Sequence, residues 1–350
     1  MIEVDGSLHS GSGTLLRYAV ALATLKGEPL RMIHIRAKRE KPGLRPQHLQ
    51  AVRACSSFCN GLLEGDQLGS LEIFYKPGPV LRGGDFRFDI GTAGSTTMLA
   101  FTLIPLSLYA DRPCRFLLTG GLFQDYAPSA LHMQKVLLPL LHRMGAEIEL
   151  EIVRPGYLPQ GQGQLALKTK PLAGPLKALH MVEPGRVKEV RGISLASHLE
   201  KERVSERMAH RCQQLLTDQG YSADIEILND RTALQKGAAL LLWAENETGG
   251  LLGADRAGKP GRRSETIAEF VVASLLQDLN AKATVDRHLA DQLILFAALA
   301  RGTTEYRIPR ITDHVEANLW LVQNILGMKG GVQGNHIRLE GTGFSKSGGY

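Results

Sequence analysis

The feature that most constrains the fold is a pattern of elements that recurs about every eighty residues. Each copy reads as a short strand, a glycine-rich turn, an apolar helix, a strand, a second helix and a β-hairpin. The first copy runs from Ile2 to Tyr75, the second from Phe86 to Lys168, and a third begins at about Ala283. This period is longer than that of ordinary solenoid repeats, so it predicts a few pseudo-symmetric βαβαββ units packed together.

The stretch between the second and third copies lacks this pattern. It contains strand and helix signals of its own, such as helix Lys201–Gln219, and the Gly/Pro/Arg-rich segment Gly249–Arg263 reads as a mobile surface loop. We therefore predict an α+β fold with three repeats and an inserted smaller α+β domain. The expected domains are 1–179 for repeats one and two, 180–280 for the insert and 281–350 for the third repeat.

Composition limits the class of protein. The chain is 43% hydrophobic and 22% charged, as in globular proteins. The longest apolar run, Met98 to Ala110, is too short to span a bilayer and contains Pro105. Because the N-terminus also lacks a secretory pattern, we expect a cytoplasmic protein without a membrane segment. The four cysteines do not form a disulfide framework, and Cys55 and Cys59 read as buried thiols rather than as a zinc pair.

The charge distribution favours a polyanionic partner. The net charge is +6, and basic side chains crowd into one short segment opposed only by Glu40. These side chains are Arg36, Lys38, Arg39, Lys41, Arg45 and Arg53. Taken alone, the segment is equally compatible with a solvated basic surface.

Two common nucleotide motifs are incomplete. Gly11-x-Gly13 lacks the third glycine of a dinucleotide fingerprint, because Leu16 stands there. The segment Gly253–Lys259 looks like a phosphate-binding loop, but Pro260 replaces the required Ser/Thr. Two glycine-rich turns that precede helices, around Gly11 and at Gly91–Ser95, remain candidates for binding a phosphate through backbone N–H groups.

In order along the chain, a series of short segments resembles the RNA 3′-terminal phosphate cyclases. No single segment is specific to this family, but the order and spacing of the segments are specific. The segments cover nearly the whole chain. They are Asp5-Gly6, Gly11-x-Gly13, Leu16-Arg17, Ile35-Arg36-Ala37, Lys41-Pro42-Gly43-Leu44, Gln47-His48-Leu49, Ile90–Ser95, Gly120-Gly121, Ala127-Pro128, Arg154-x-Gly156-Tyr157, Leu289–Leu293 and His314. The resemblance implies a fold related to the enolpyruvyl transferases, with three repeats and an inserted domain.

The resemblance also implies a chemistry. A histidine attacks ATP to form a histidine–AMP phosphoramidate, AMP passes to an RNA 3′-phosphate, and the 2′-hydroxyl then closes a 2′,3′-cyclic phosphate. His314 matches the nucleophile. The implied ATP-binding residues are Pro128, His288, Asp291, Gln292, Gly11 and Gly13. The implied RNA- or phosphate-binding residues are Arg17, Arg36, Arg39, Lys41, Arg45 and Gln47.

The sequence departs from the family at several positions. Ser10 stands where a glutamate commonly binds the divalent metal, Mg²⁺ or Mn²⁺, so the metal ligands are unknown. Thr14 and Phe101 replace glutamines, and His288 replaces a tyrosine that stacks on adenine. Gln162 interrupts a run of glycines. These changes mark a divergent member.

Two other functions stay open from the sequence. One is a cyclase-like protein without catalysis that acts in rRNA processing, against which His314, Arg17 and Arg39 argue. The other is an enolpyruvyl-transferase-like enzyme acting on a small molecule, which the basic segment disfavours. The expected partner is RNA with a 3′-phosphate, and a homodimer is compatible with a sequence that does not fix the oligomeric state.

Overall fold

The computed structural model describes residues 1–125 and 127–345 of the chain. Within these residues the strands form four separate four-stranded sheets, each mixed in direction, with helices packed against them. The predicted α+β class is confirmed. No helix in the described part of the chain combines the length and the apolar character needed to cross a bilayer.

The first two repeats follow one another along the chain. The first consists of β1 (Ile2–Asp5), α1 (Gly13–Lys26), β2 (Leu30–Ile33), α2 (Pro46–Cys59), β3 (Leu62–Glu64) and β4 (Ile73–Lys76). The second consists of β5 (Gly84–Asp89), α3 (Thr96–Ser107), β6 (Cys114–Gly120), α4 (Ala130–His132), a π-helical turn (Met133–Leu137), α5 (Leu138–Arg143), β7 (Glu147–Arg154) and β8 (Gly163–Lys170).

The third repeat is divided by the insert. Its first strand, β9 (His180–Met181), precedes the insert in sequence. The insert consists of β10 (Val187–Ser197), α6 (Val204–Thr217), β11 (Ala223–Asp230), β12 (Gly237–Asn246), β13 (Leu251–Ala257) and α7 (Ser264–Asn280). The rest of the third repeat is α8 (Leu289–Leu299), β14 (Arg301–Arg307), α9 (Asp313–Leu326), β15 (Lys329–Gln333) and β16 (His336–Thr342).

The three repeat sheets share one topology. Their strand orders are β1-β2-β4-β3, β5-β6-β8-β7 and β9-β14-β16-β15. In each sheet the first two strands are parallel and the remaining neighbours are antiparallel. The short strand β9 therefore takes the place of β1 and β5, and the insert lies between the first strand and the first helix of the third repeat. The domain limits drawn from the sequence stay a prediction.

The segment Gly249–Arg263 is not a mobile loop, and that interpretation is wrong. Residues Leu251–Ala257 form β13, an edge strand paired antiparallel with β12 along seven residue pairs. Leu251, Leu252 and Ala254 are buried. Glycine and arginine lower the apparent strand propensity here, but Gly253 is needed because a Cβ atom would lie 2.9 Å from the His132 ring.

The insert has its own hydrophobic core, built between α6, α7 and its sheet. A second, larger core unites the three repeats. Cys55 and Cys59 are buried free thiols within it, and the Cys59 thiol contacts the Tyr75 hydroxyl at 3.1 Å. The repeats are therefore packed as one body, and the loops at the helix starts meet around a common cleft.

Candidate active site

A cleft of about 490 Å³ lies where helix starts from all three repeats converge. Three helices that begin there have N-cap side chains that accept a hydrogen bond from a backbone N–H of the first turn: Ser12 on α1, Ser95 on α3 and Thr312 on α9. Ten of the predicted site residues line this cleft: Gly13, Arg17, Arg36, Arg39, Gln47, Pro128, His288, Asp291, Gln292 and His314. The structure thus brings together residues that are up to three hundred positions apart.

His314 lies in the first turn of α9, at the wall of the cleft. Its Nδ1 atom is buried and makes no hydrogen bond to any described residue. Burial lowers the pKa of His314 below its ordinary value, and the charges of Arg17 and Arg39 lower it further, against a smaller opposing effect of Asp313. The imidazole is therefore neutral near pH 7, which is the form that can act as a nucleophile.

Arg17 projects from α1 into the cleft and is only 8% exposed. Its guanidinium makes two long contacts, to Thr14 Oγ1 and to Met98 Sδ, both at 3.4 Å. It forms no ion pair with any carboxylate in the described residues. Burial lowers the pKa of Arg17 to about 10, so the group stays charged. A buried guanidinium without a carboxylate partner is suited to bind an anionic ligand.

The basic segment divides into two groups. Arg36 has a left-handed backbone, with φ of 55°, and its guanidinium donates to the carbonyls of Lys41 and Gly43 at 2.8 Å each. Burial lowers the pKa of Arg36, as do the nearby charges of Arg39 and Arg45. Arg36 and Arg39 line the cleft, whereas Lys41 and Arg45 are exposed outside its lining.

Two contacts fix the glycine-rich turns relative to each other. Gln47 Oε1 accepts a hydrogen bond from the Ser95 backbone N–H at 2.9 Å, which links α2 to the second turn. The buried His48 ring lies against Gly13, where any Cβ atom would overlap it. Burial lowers the pKa of His48 well below its usual range, and the positive charges of the surrounding arginines lower it further. Gly13 is therefore required by close packing, while Gly11 lies outside the cleft lining.

The far end of the cleft holds the predicted nucleotide residues. Burial raises the pKa of Asp291 to about 7, and the charge of Asp286 adds to this effect. Asn318 donates to the Asp291 carboxylate at 3.3 Å. Pro128 is fixed by a hydrogen bond from Thr97 Oγ1 to its carbonyl at 2.8 Å. Phe101 is buried against aromatic rings, so it forms an apolar wall where relatives are expected to carry a glutamine.

A buried ion pair supports His288, and sequence reasoning missed it. His132 Nε2 and Asp286 Oδ2 are 3.0 Å apart with both side chains fully buried. Burial alone would lower the pKa of His132, but the Asp286 carboxylate raises it; the same contact lowers the pKa of Asp286 to about 2. Asp286 Oδ1 also accepts from the backbone N–H groups of His288 and Leu289. The pair thereby fixes the start of α8.

A second ion pair ties the insert to the cleft. Asp125, which lines the cleft, accepts two hydrogen bonds from Arg262 at 2.7 Å each and lies 3.2 Å from Arg256. Asp125 precedes Pro128 by three residues. No local sequence signal links an aspartate to an arginine 137 residues later, so this pair appears only in the structure.

Ser10 lies outside the cleft, in an adjoining pocket of about 440 Å³ that shares Arg39 and His314 with it. Its hydroxyl lies 2.9 Å from the Ser12 hydroxyl. The described residues hold no group of three His, Cys, Asp or Glu side chains arranged for a metal ion.

Comparison with known proteins shows the family to which the chain belongs. A sequence model of the RNA 3′-terminal phosphate cyclase family matches residues 8–332. The chain belongs to this family. It is similar to proteins named RNA 3′-terminal phosphate cyclase from several organisms, of which three serve as examples. It is 37% identical over 328 residues to that of Pyrobaculum neutrophilum, which covers 94% of each chain.

The other two relatives show the same degree of similarity. The Archaeoglobus fulgidus cyclase is 39% identical over 340 residues, covering 96% of this chain and 99% of its own. The Trichormus variabilis cyclase is 37% identical over 330 residues, covering 92% and 93%. Family membership therefore rests on almost the full length. The roles of the individual cyclase site residues stay predictions.

Proposed function

We propose that this protein is a ligase that uses ATP to convert RNA 3′-terminal phosphates into 2′,3′-cyclic phosphates. The observation that carries the proposal is His314. It is a neutral histidine at the junction of a cleft and a basic pocket, and its buried Nδ1 has no hydrogen-bond partner among the residues that the structure describes. The names of the relatives support the same activity.

In the first step, an imidazole nitrogen of His314 attacks the α-phosphorus of ATP. A P–N bond forms, the bond to the bridging oxygen breaks, and pyrophosphate leaves. Arg17 and Arg39 would stabilise the charge that develops on the phosphoryl oxygens, because guanidinium groups bind them in a forked geometry. Pro128 and His288 would flank the adenine, and Asp291 would contact the ribose.

In the second step, an oxygen of the RNA 3′-phosphate attacks the same phosphorus and displaces His314, giving RNA-adenylate. The 2′-hydroxyl of the terminal ribose then attacks the activated 3′-phosphate, releases AMP and loses its proton. Adenylation is needed because a phosphate monoester offers no good leaving group. The basic residues Arg36, Lys41 and Arg45 would guide the RNA backbone.

The proposal is tested with three RNAs and α-labelled ATP. An RNA ending in a ribose 3′-phosphate should give a cyclic end and AMP. The same RNA with a terminal 2′-deoxyribose should stop at RNA-adenylate, and one with a 3′-hydroxyl should not react. The His314→Asn variant should lose at least about 10³-fold in rate. Cyclisation by that variant, or none by the unaltered protein, would refute the proposal. The cytoplasmic location and a homodimer stay predictions.

A further inference from the structure

The pocket beside the cleft lies on the path of the ATP phosphates, an argument that rests on the proposed function. If the base is near Pro128 and the α-phosphate is at His314, then the β- and γ-phosphates continue beyond His314. The adjoining pocket begins there. Its lining consists of Ser10, Lys38, Arg39, Arg310, Ile311, Thr312, Asp313 and His314. Three cations against one carboxylate make it receptive to a polyphosphate.

The residues of this pocket do not fit a metal ion held by the protein. Magnesium and manganese prefer carboxylate and other hard oxygen ligands. Asp313 supplies the one carboxylate of the lining, and the Ser10 hydroxyl pairs with that of Ser12. The nearby Asp5 carboxylate is engaged by Ser7 and His34. The expected family site for a divalent ion is therefore absent from the first turn as the structure describes it.

A lysine ammonium occupies this region instead. The Lys38 side chain crosses the first glycine-rich turn at Gly11, where a Cβ atom would lie 2.7 Å from Lys38 Cβ and Cγ. Its Nζ donates to the His9 carbonyl at 2.8 Å, on the neighbour of Ser10. An ammonium has three donors, so two remain for a ligand.

We propose that Lys38 binds the β- and γ-phosphates of ATP and supplies the positive charge that a metal bound at position 10 would otherwise provide. Ser10 and Lys38 then act together. Ser10 stands where a carboxylate is expected to hold a metal ion, and the ammonium of Lys38 supplies the positive charge at the same turn. A purely structural role, in which Lys38 only anchors the turn through His9, is the competing account that the experiment must separate.

The test measures nucleotide binding in the presence of a chelator, with ATP supplied as an analogue whose α- and β-phosphorus atoms are joined by a methylene group, so that no pyrophosphate can leave and no adenylate forms. Lys38→Met keeps the aliphatic contact with Gly11 but removes the charge. It should weaken ATP binding by about tenfold and change AMP binding by less than about twofold, because AMP lacks the two outer phosphates. Lys76→Met, at an exposed lysine on β4, is the matched control and should change neither. An equal loss for ATP and AMP, or no loss, would overturn the proposal.

A second pair of variants tests the exchange of charge. Ser10→Glu alone should weaken ATP binding in chelator, because the new carboxylate neutralises Lys38 and repels phosphate. Ser10→Glu combined with Lys38→Met should bind ATP more tightly when magnesium is added, and the gain should exceed that of the unaltered protein. Equal magnesium dependence of both proteins would count against the proposal.

These outcomes are distinct from failure of the proposed function. If ATP binds normally to Lys38→Met while the unaltered protein cyclises RNA, only the role of Lys38 is wrong. If Lys38→Met weakens ATP binding selectively but no cyclisation is found, only the cyclase activity is wrong.

Discussion

His314 is surrounded by charges of both signs, and these charges set its protonation. Burial lowers its pKa, the guanidinium groups of Arg17 and Arg39 lower it further, and the carboxylate of Asp313 opposes them. Only the neutral imidazole can attack phosphorus, so adenylation is lost as the pH falls through the pKa of His314. A lowered pKa extends activity below the usual range of histidine, near pH 6.5.

Removing the charge of Arg39 should shift this dependence. In Arg39→Met the pKa of His314 rises, so the acid limb of the adenylation rate moves to higher pH. Asp313→Asn should move it to lower pH, because a charge that raises the pKa is lost. The measurement is the single-turnover rate of adenylation at saturating ATP between pH 4 and 8. The variants are compared by the pH at which the rate is half of its maximum, not by the maximal rate. Shifts in the same direction would contradict the assignment.

Close packing at Gly13 makes a second prediction. Gly13→Ala should destabilise the protein by about 1–3 kcal/mol, because the new methyl group overlaps the buried His48 ring. Adding His48→Ala opens space, so the double variant should lose less free energy of unfolding than the sum of the two single variants. Denaturant titration of the four proteins gives this interaction energy, and simple additivity would show that the two residues do not clash.

At the scale of elements, the loop before α4 depends on the insert. Asp125 and Arg262 form a bidentate pair whose side chains are 18% and 9% exposed. Arg262 lies between β13 and α7, so the insert holds the loop that presents Pro128. We infer that the insert helps to shape the nucleotide end of the cleft.

Arg262→Met should therefore weaken ATP binding and destabilise the fold by about 1–3 kcal/mol, because Asp125 loses its bidentate partner and keeps the contact with Arg256, at 3.2 Å. Asp125→Asn with Arg262→Met should be less damaging, since the carboxylate is then removed together with its bidentate partner, and the more exposed Arg256 keeps its contact with the Phe270 ring. Calorimetry of binding and of unfolding tests both effects. Arg256→Met provides the comparison, because Arg256 is more exposed and also lies over the Phe270 ring. Unchanged ATP affinity in Arg262→Met would show that the insert does not shape the part of the cleft that binds ATP.

The elements also show what local patterns can predict. The apolar pattern of α1, α8 and α9 is readable from the sequence, and the structure contains all three helices; Ser12 and Thr312 cap α1 and α9, whereas the N-cap residue of α8 makes no such side-chain hydrogen bond. The sequence predicts a loop where β13 forms, because the burial of this strand depends on packing against His132 and α7 and not on a local pattern. The strand β15 contains Gly330 and Gly331, and β9 has two residues, so neither carries a periodic signal.

At the scale of the whole molecule, the order of motifs along the chain predicts which residues meet, but not their distances or partners. His314, Arg17 and Asp291 converge because the three repeats place their helix starts together. The two ion pairs at the cleft, His132–Asp286 and Asp125–Arg262, join residues more than 130 positions apart. Such pairs depend on tertiary packing, and no local spacing reveals them.

Binding of RNA should depend on the exposed part of the basic segment. Replacing Lys41 and Arg45 with methionine should lower affinity and reduce the slope of log affinity against log salt by about 1.4, the value for two lost contacts to a single strand. Arg53→Met should change the slope less, because Arg53 already pairs with Asp66 at 2.8 Å. Fluorescence titration at several salt concentrations measures the slopes. If the slope of the Lys41 and Arg45 double variant equals that of the unaltered protein, the segment is a solvated surface that does not bind RNA.

The central claim is that AMP becomes bonded to His314. Trypsin cuts after Arg310 and Lys329, and the peptide between them, from Ile311 to Lys329, contains His314 as its one histidine. The protein is incubated with ATP alone and digested at neutral to mildly alkaline pH, where a phosphoramidate survives. Mass spectrometry should then find the AMP adduct on this peptide, and brief acid treatment should remove it. An adduct on another peptide, or the same adduct in His314→Asn, would contradict the account.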